Sequence, residues 1–411
     1  MISAAARPYI DASVPVLRDN GVAISTRFYT LLFKAHPELK NIFNMANQEN
    51  GSQQQALASA LFAYAANIDN ANALAPVISR IVHKHVSLGI RAEHYPIVGH
   101  HLLAAIGEVL GEAATPELIA AWAEAYGALA STFIAEEKKL YASHKITPGQ
   151  QREVIVTRKQ IESETVTSFY LESADGLPLP AFVPGQYISI ATTIVALNLR
   201  QFRQYSLSGA THQTHWRISV KREDKDEQGN PAGMVSNLLH AEVNVGDKLW
   251  VSPACGDFVI GTDTSVPLIL ISAGVGITPM MSMLHGSLQQ MPARAVHFLY
   301  ATLDGHHHPL KTELNALKSA SRLPQQEAML TTYFAYATPT DADRAANDFD
   351  HAGYLELNQV DQALLPKNGD YYLCGPTVFM QIQRQALLAR GVAAHQIQQE
   401  VFGPALLENL Q

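Results

Sequence analysis

The apolar positions along the chain change rhythm twice. Through residues 1 to about 145 they recur at three- and four-residue spacing, the signature of amphipathic helices. One stripe runs Leu74, Ile78, Ile81, His85 and Leu88, and another runs Gln53, Leu57, Leu61, Tyr64 and Ile68. A third runs Trp122, Tyr126, Ala130, Phe133 and Glu137, and Tyr29 shares a stripe with Val22, Ser25 and Leu32. The clearest helix start is Thr115-Pro116-Glu117, with an N-cap hydroxyl, a proline in the first turn and an acid at the positive end. From about Ile146 the rhythm becomes alternation. REVIVTRK, TVTSFYLES, GQYISI, RQYSLSG and WRISVKRE read as strands after the Pro- and Gly-containing ITPGQQ. From about Thr262, short fully apolar runs (VPLILIS, AVHFLYATL, AMLTTYFAY, DYYLCG) interleave with helical text. Buried strands alternating with helices predict a parallel sheet.

The predicted architecture is therefore multidomain: all-α over 1–145, an antiparallel β-barrel over 150–261, and α/β over 262–411. Composition fits this. The chain has 411 residues, 47% of them hydrophobic and 16% charged, enough for more than one core. A net charge of -8 without a basic block argues against nucleic acid or an anionic membrane as partner. Two cysteines exclude a disulfide framework and a cysteine metal cage. No apolar run of about 18 residues is evident, and no signal peptide opens the chain. A monomer in the reducing cytoplasm is the expectation.

RIVHKHVSLGI (residues 80–90) holds two histidines two residues apart, so a helix sends them to different faces. His85 lies on the apolar stripe. His83 keeps company with Ser79, Arg80, Lys84 and Ser87 and is expected in water. A lone buried histidine is more often a core side chain with a local partner than a metal ligand. Yet Tyr29, Gln53, Tyr95 and Glu137 also lie on or beside apolar stripes. Burying such groups unpaired costs several kcal/mol, so partners or a ligand are required.

RFYTLLF, HPELKNIFNMANQENGSQQQAL, HKHVSLGI, HYPIVGHHLL and AWAEAYGALASTFIAEEKKLY together resemble the globin domain of the flavohaemoglobin family. The resemblance implies that His85 is the proximal ligand of haem iron and that Phe43 packs on the haem. It implies further that Tyr29, Gln53 and Leu57 line the side where oxygen binds, and that Tyr95 and Glu137 support His85. A histidine so supported is more basic, which favours oxygen activation over carriage. Glu136 stands where the family often has a basic residue. The stripe spacing to Phe133 selects Glu137 over its neighbour.

The remainder resembles the ferredoxin-reductase superfamily. In RQYSLSG, the resemblance gives Arg203 to the FAD pyrophosphate, Tyr205 to the isoalloxazine face and Ser206 to the reactive nitrogen, with Gln204 between them. Tyr187 in GQY would lie near the adenine half. Gly233, Val235 and Ser236 would form the phosphate turn at a helix start. The tail Val401, Phe402, Gly403 and Pro404 would bring Phe402 over the flavin ring. Gly274, Val275, Gly276, Ile277, Thr278 and Pro279 form a GxGxxP after a strand, weak alone but matching the nicotinamide turn. Cys374, Gly375 and Pro376 resemble its second segment, although Cys374 also reads as a small buried residue. Asp304 mildly favours an unphosphorylated ribose, which leaves NADH versus NADPH open. His306, His307 and His308 read as a solvated loop in preference to a metal tract.

The whole resemblance implies a nitric oxide dioxygenase using haem b, FAD and NAD(P)H, with oxygen and nitric oxide as substrates. Two alternatives stay open. One is a haem-based oxygen or nitric oxide sensor. The other is a flavohaem reductase acting on lipid peroxides, with a lipid in the distal pocket.

Overall fold

The computed structural model describes residues 2–211, 213–225, 232–321 and 329–403. Helices α1 (Arg7–Ala35), α2 (Met45–Glu49), α3 (Ser52–Ala66), α4 (Ala71–Leu88), α5 (His94–Leu110) and α6 (Pro116–Ser143) form the first layer of the molecule. α6 starts as its sequence predicts, with the Thr115 hydroxyl accepting the Leu118 N–H at 3.2 Å. It is long and apolar enough to cross a membrane by length and composition. Trp122, Ala125 and Phe133 on that helix are nonetheless buried, the first two in the core shared with Ile10, Ile24, Phe28, Leu32 and Ile106. On α1 the buried face is Ile24, Ser25, Phe28, Tyr29 and Leu32, while Val22 is exposed. The stripe assigned to Val22 is thus one residue off, and Gly21 packs against Ala58 in its place.

Strands β1 (Arg152–Ile161), β2 (Val166–Ser173), β3 (Tyr187–Ile194), β4 (Leu199–Ser206), β5 (Trp216–Lys221) and β6 (Lys248–Val251) build one antiparallel sheet in the order β4-β3-β6-β1-β2-β5. A bridge between Leu207 and Ile218 brings the end of β4 onto β5 and curls the sheet toward a barrel. Helix α7 (Met234–Ala241) packs Val235 and Leu239 into its core. β6 was not foreseen: KLWV is too short to show alternation.

Strands β7 (Leu268–Ala273), β8 (Val296–Thr302), β9 (Leu330–Tyr336), β10 (His351–Ala352), β11 (Asp370–Cys374) and β12 (Ile397–Glu400) form a parallel sheet in the order β10-β9-β8-β7-β11-β12. Helices α8 (Ile277–Gln290), α9 (Lys311–Ala320), α10 (Asp341–Ala346) and α11 (Thr377–Ala389) connect them. Strand order reverses between β7 and β11, and a ligand crevice is expected at the carboxyl ends flanking such a switch point. The two sheets are pinned together by Arg217, which is 5% exposed and donates to Glu313 on α9 at 2.5 Å, while His285 on α8 meets the same carboxylate at 2.5 Å. Burial pushes the Glu313 carboxyl up, but these hydrogen bonds and the Arg217 charge outweigh it and bring it down to about 2.

The histidine run is a solvated loop only in part: His306 is exposed and His307 half-buried, but His308 is not in water. His308 is 2% exposed, packs on Tyr300 and Phe334, and pairs its Nδ1 with the Tyr336 hydroxyl at 2.7 Å. His307 Nδ1 lies 2.7 Å from Asp304. The apolar runs on either side pull this turn into the core, which a polar tripeptide read alone does not reveal. Among the described residues no cluster of histidine, cysteine and acids could hold a metal.

Candidate functional site

α4 carries His85 near its C-terminal end, closed by Gly89 in the left-handed conformation. The His85 ring is 28% exposed as a side chain. Its Nδ1 lies 2.8 Å from Glu137 Oε1 on α6 and 3.0 Å from the Tyr95 hydroxyl on α5. Tyr95 also donates to the same Glu137 oxygen. Glu137 is 3% exposed, and burial followed by that hydrogen bond raises the Tyr95 phenol far above its ordinary range. Three helices thus converge on one nitrogen. A carboxylate at Nδ1 fixes the proton there and leaves the lone pair on Nε2, the tautomer a metal ligand needs. Nε2 has no hydrogen-bond partner among the described residues, so the ring fits a haem iron. Glu136, by contrast, pairs with Lys139 at 2.6 Å near the surface. The structure separates the adjacent glutamates as the stripe spacing does.

Tyr29 is 5% exposed and packs among Phe28, Phe33 and Phe43, its ring centroid 5.6 Å from that of Phe43. Burial pushes its hydroxyl up to about 12 against the opposing pull of Gln53 and Gln48. Leu57 and Phe43 join the same core half-buried. Gln48 was missed, because the five-residue α2 is too short to show a stripe.

His83 corrects the expectation of a solvated face. Its Nδ1 accepts the Gly256 N–H of the β domain at 3.0 Å, and burial lowers its pKa despite Asp257 nearby. Ser87, placed on the same polar face, is 1% exposed and bonds Ser189 on β3 at 2.9 Å. The polar face of α4 is a domain interface. A helix stripe distinguishes polar from apolar neighbours, but water and another protein domain look alike to it.

In the β domain, Arg203 on β4 is half-buried, its guanidinium donates to the Phe202 carbonyl at 2.7 Å, and no carboxylate pairs with it among the described residues. Burial lowers its pKa, with Tyr205 opposing, and the negative charge of a pyrophosphate would complete this unpaired guanidinium. Tyr205 is half-buried beside Ser206, which is 8% exposed, and burial raises the Tyr205 phenol. Exposed Gln204 donates to Ser189 at 3.2 Å. Tyr187 lies against the helical domain, near Val86, Tyr141 and Cys255. Its neighbour Gly185 has φ +102°, and a Cβ there would come within 2.0 Å of the Phe258 carbonyl. Only glycine allows GQY to close on that turn. Gly233 caps α7 with no side chain, leaving the first-turn N–H groups of Val235 and Ser236 available for an anion. Val401 is half-buried, Phe402 and Gly403 are exposed, and Pro404 lies outside the described residues.

Gly274, Val275 and Gly276 form the turn after β7, and Ile277, Thr278 and Pro279 open α8, all three buried. A Cβ on Gly276 would lie 2.3 Å from the Cys374 carbonyl. The two sequence segments therefore meet at the switch point, with Gly375 and Pro376 leading into α11. Cys374 is fully buried, and burial raises its thiol well above the usual range. The Asp304 carboxylate is occupied by the His307 N–H at 3.1 Å and the His307 ring, so it does not distinguish the two nicotinamides.

A helical domain with a histidine held by a buried glutamate and tyrosine, an antiparallel β domain and a nicotinamide-type α/β domain define a globin fused to a flavin reductase module. The globin family model matches residues 26–133, and the oxidoreductase NAD-binding domain model matches 270–385. The flavohemoprotein of Chromobacterium violaceum is 50% identical over 406 residues, 98% of each chain. That of Rhizobium meliloti is 47% identical over 409 residues, 99% of each. The solved flavohemoglobin of Malassezia yamatoensis, with bound FAD and heme, superposes with TM-score 0.84 at 29% identity, covering 98% of this chain and 100% of that one. The FAD/NAD-binding domain of the nitric oxide dioxygenase of Vibrio cholerae is 38% identical with TM-score 0.54, covering 62% of this chain and 99% of that one. The chain belongs to the flavohaemoprotein family.

Proposed function

We propose that the protein is a nitric oxide dioxygenase that holds haem b on His85 and FAD across Arg203, Tyr205, Ser206 and the start of α7, and that oxidises NAD(P)H. The overall reaction is 2 NO + 2 O2 + NAD(P)H → 2 NO3− + NAD(P)+ + H+. When bound, the haem supplies the oxygen site and the flavin splits the hydride pair into single electrons. The chain's residues do the rest. Gly274–Pro279 and Cys374–Pro376 hold the nicotinamide at the switch point. Arg203 offsets pyrophosphate charge. Glu137, with Tyr95, holds the His85 proton at Nδ1 and makes that ring a strong donor. The Tyr29 hydroxyl, buried and raised, remains protonated at neutral pH and can donate a hydrogen bond to a ligand in the pocket. Gln53 flanks it.

The observation carrying this reading is the His85–Glu137–Tyr95 cluster in a chain that also contains a nicotinamide oxidoreductase domain. Basicity at the ligand supports activation of oxygen, and a fused reductase serves turnover where a sensor needs no electron supply. The test mixes holoprotein, NADH, oxygen and nitric oxide and follows nitric oxide loss with nitrate formed. Loss at only the spontaneous rate would sink the proposal.

A further inference from the structure

The segment that carries Phe43 is held from outside the helical domain. Gln201 on β4 is fully buried. Its Oε1 accepts the Met45 N–H at 3.1 Å, and its Nε2 donates to the Lys40 carbonyl at 3.0 Å. One residue earlier, the Arg200 N–H donates to Asn41 Oδ1 at 2.7 Å. These three interdomain hydrogen bonds all end on residues 40–45, on both sides of Phe43. The same segment runs straight into α2, where the Asn44 side chain accepts the Ala46 N–H at 3.1 Å. α2 presents Gln48 to the Tyr29 phenol. Gln54 Nε2 grips Gln48 at both its carbonyl oxygens, 3.1 Å each. The Gln48 Nε2 is buried with no hydrogen-bond partner among the described residues, and Gln48 is one of the two side chains that pull on the Tyr29 hydroxyl.

A buried carboxamide engaged at both ends holds its partners firmly, because losing either bond leaves a desolvated group unpaired. We infer that Gln201, a residue of the flavin-side β domain, is a positioning residue of the oxygen pocket. It fixes the backbone of residues 40–45, and through it the Phe43 ring and the approach of α2 to Tyr29. Gln201 and Arg203 leave β4 on the same face, two residues apart. The strand that carries the phosphate-binding arginine therefore also shapes the haem side. This inference rests on the haem-pocket reading above.

The test uses full-length holoprotein as wild type, Gln201→Leu, Gln201→Glu, Tyr29→Phe and the Gln201→Leu/Tyr29→Phe double variant. The measurements are the oxygen dissociation rate and the C–O stretching band of the carbon monoxide complex. Gln201→Leu is expected to speed oxygen dissociation about three- to tenfold, the equivalent of one hydrogen bond, and to shift or split the C–O band. Gln201→Glu keeps the acceptor for Met45 but sets a carboxylate oxygen against the Lys40 and Arg200 carbonyls, so it should speed oxygen dissociation at least as much as Gln201→Leu. The double variant should release oxygen no more than about twofold faster than Tyr29→Phe alone, since Gln201 acts through Tyr29. If Tyr29→Phe changes both readouts and Gln201→Leu changes neither, the inference fails while the pocket stands. If Tyr29→Phe changes neither, the pocket reading itself fails. Should Gln201→Leu not retain haem, Asn41→Ala removes the Arg200 tie, together with the local Asn41 Nδ2 hydrogen bond to the Glu38 carbonyl, leaves both Gln201 bonds in place and carries the same comparison.

Discussion

Glu137→Gln keeps the size and shape of the side chain and removes its charge. In the structure Glu137 Oε1 sits 2.8 Å from His85 Nδ1, in a buried setting where water does not screen it. A hydrogen bond to a charged group contributes about 1.5–3 kcal/mol, and a neutral one about half that. The substitution should therefore weaken the hold on His85 by about 1–1.5 kcal/mol. For a one-electron couple, where a tenfold change is about 59 mV, that is a rise in haem reduction potential of about 40–65 mV, because a less electron-rich imidazole favours ferric iron less. Tyr95 limits the loss, since its hydroxyl already lies 3.0 Å from the same nitrogen. Spectroelectrochemical titration reads the potential, and resonance Raman of the ferrous protein should show the iron–histidine stretch moving down. Glu136→Gln is the control, with its carboxylate 43% exposed and paired to Lys139. An equal shift in both variants, or none in Glu137→Gln, would refute the assignment of Glu137 and the reasoning that ties His85 basicity to it.

Three further outcomes are expected. His85→Ala should abolish stable haem binding, whereas His83→Ala should leave the Soret spectrum intact and instead loosen the contact with Gly256, read as faster proteolysis between the domains; loss of haem in both would overturn the face argument. Gly276→Ala forces a Cβ to 2.3 Å from the Cys374 carbonyl; it should raise the NADH KM or abolish flavin reduction while carbon monoxide binding at the haem persists, and unaltered flavin reduction would remove this turn from the site. His308, buried and neutral, has its pKa lowered to about 3 by burial, with Lys311 adding to the effect. Its folded pKa lies below its unfolded value of 6.5, so the unfolded chain binds the extra proton and stability falls as pH drops through that window. His308→Gln should lessen the slope of unfolding free energy between pH 6 and 4 by up to about 1.4 kcal/mol per pH unit, and an unchanged slope would show that another group carries it.

The three-part architecture was legible because each part obeys its own period: 3.6 residues in the helices, two in the barrel strands, and apolar runs in the parallel sheet. His85 and Glu137 were legible for the same reason, as polar residues at positions where the period demands apolar ones. The two glycine turns at the switch point were legible as local chain geometry. Periodicity failed where an element was too short to have a period, as in β6 and in α2 with its Gln48. It failed again where the neighbour of a surface is another domain. His83 and Ser87 occupy a polar face that hydrogen-bonds β3 and the Gly256 turn, and His308 belongs to a polar tripeptide drawn inward by its flanking strands. Gln201 gave no signal, since alternation on β4 marks which side of the strand it leaves and nothing about what waits there. The sequence by itself determined the elements and the residues that need partners, because backbone period and desolvation cost are local. Only the tertiary structure decided which partners they find, because hydrogen bonds such as those from Gln201 to residues 40 and 45 close over more than a hundred residues of intervening chain.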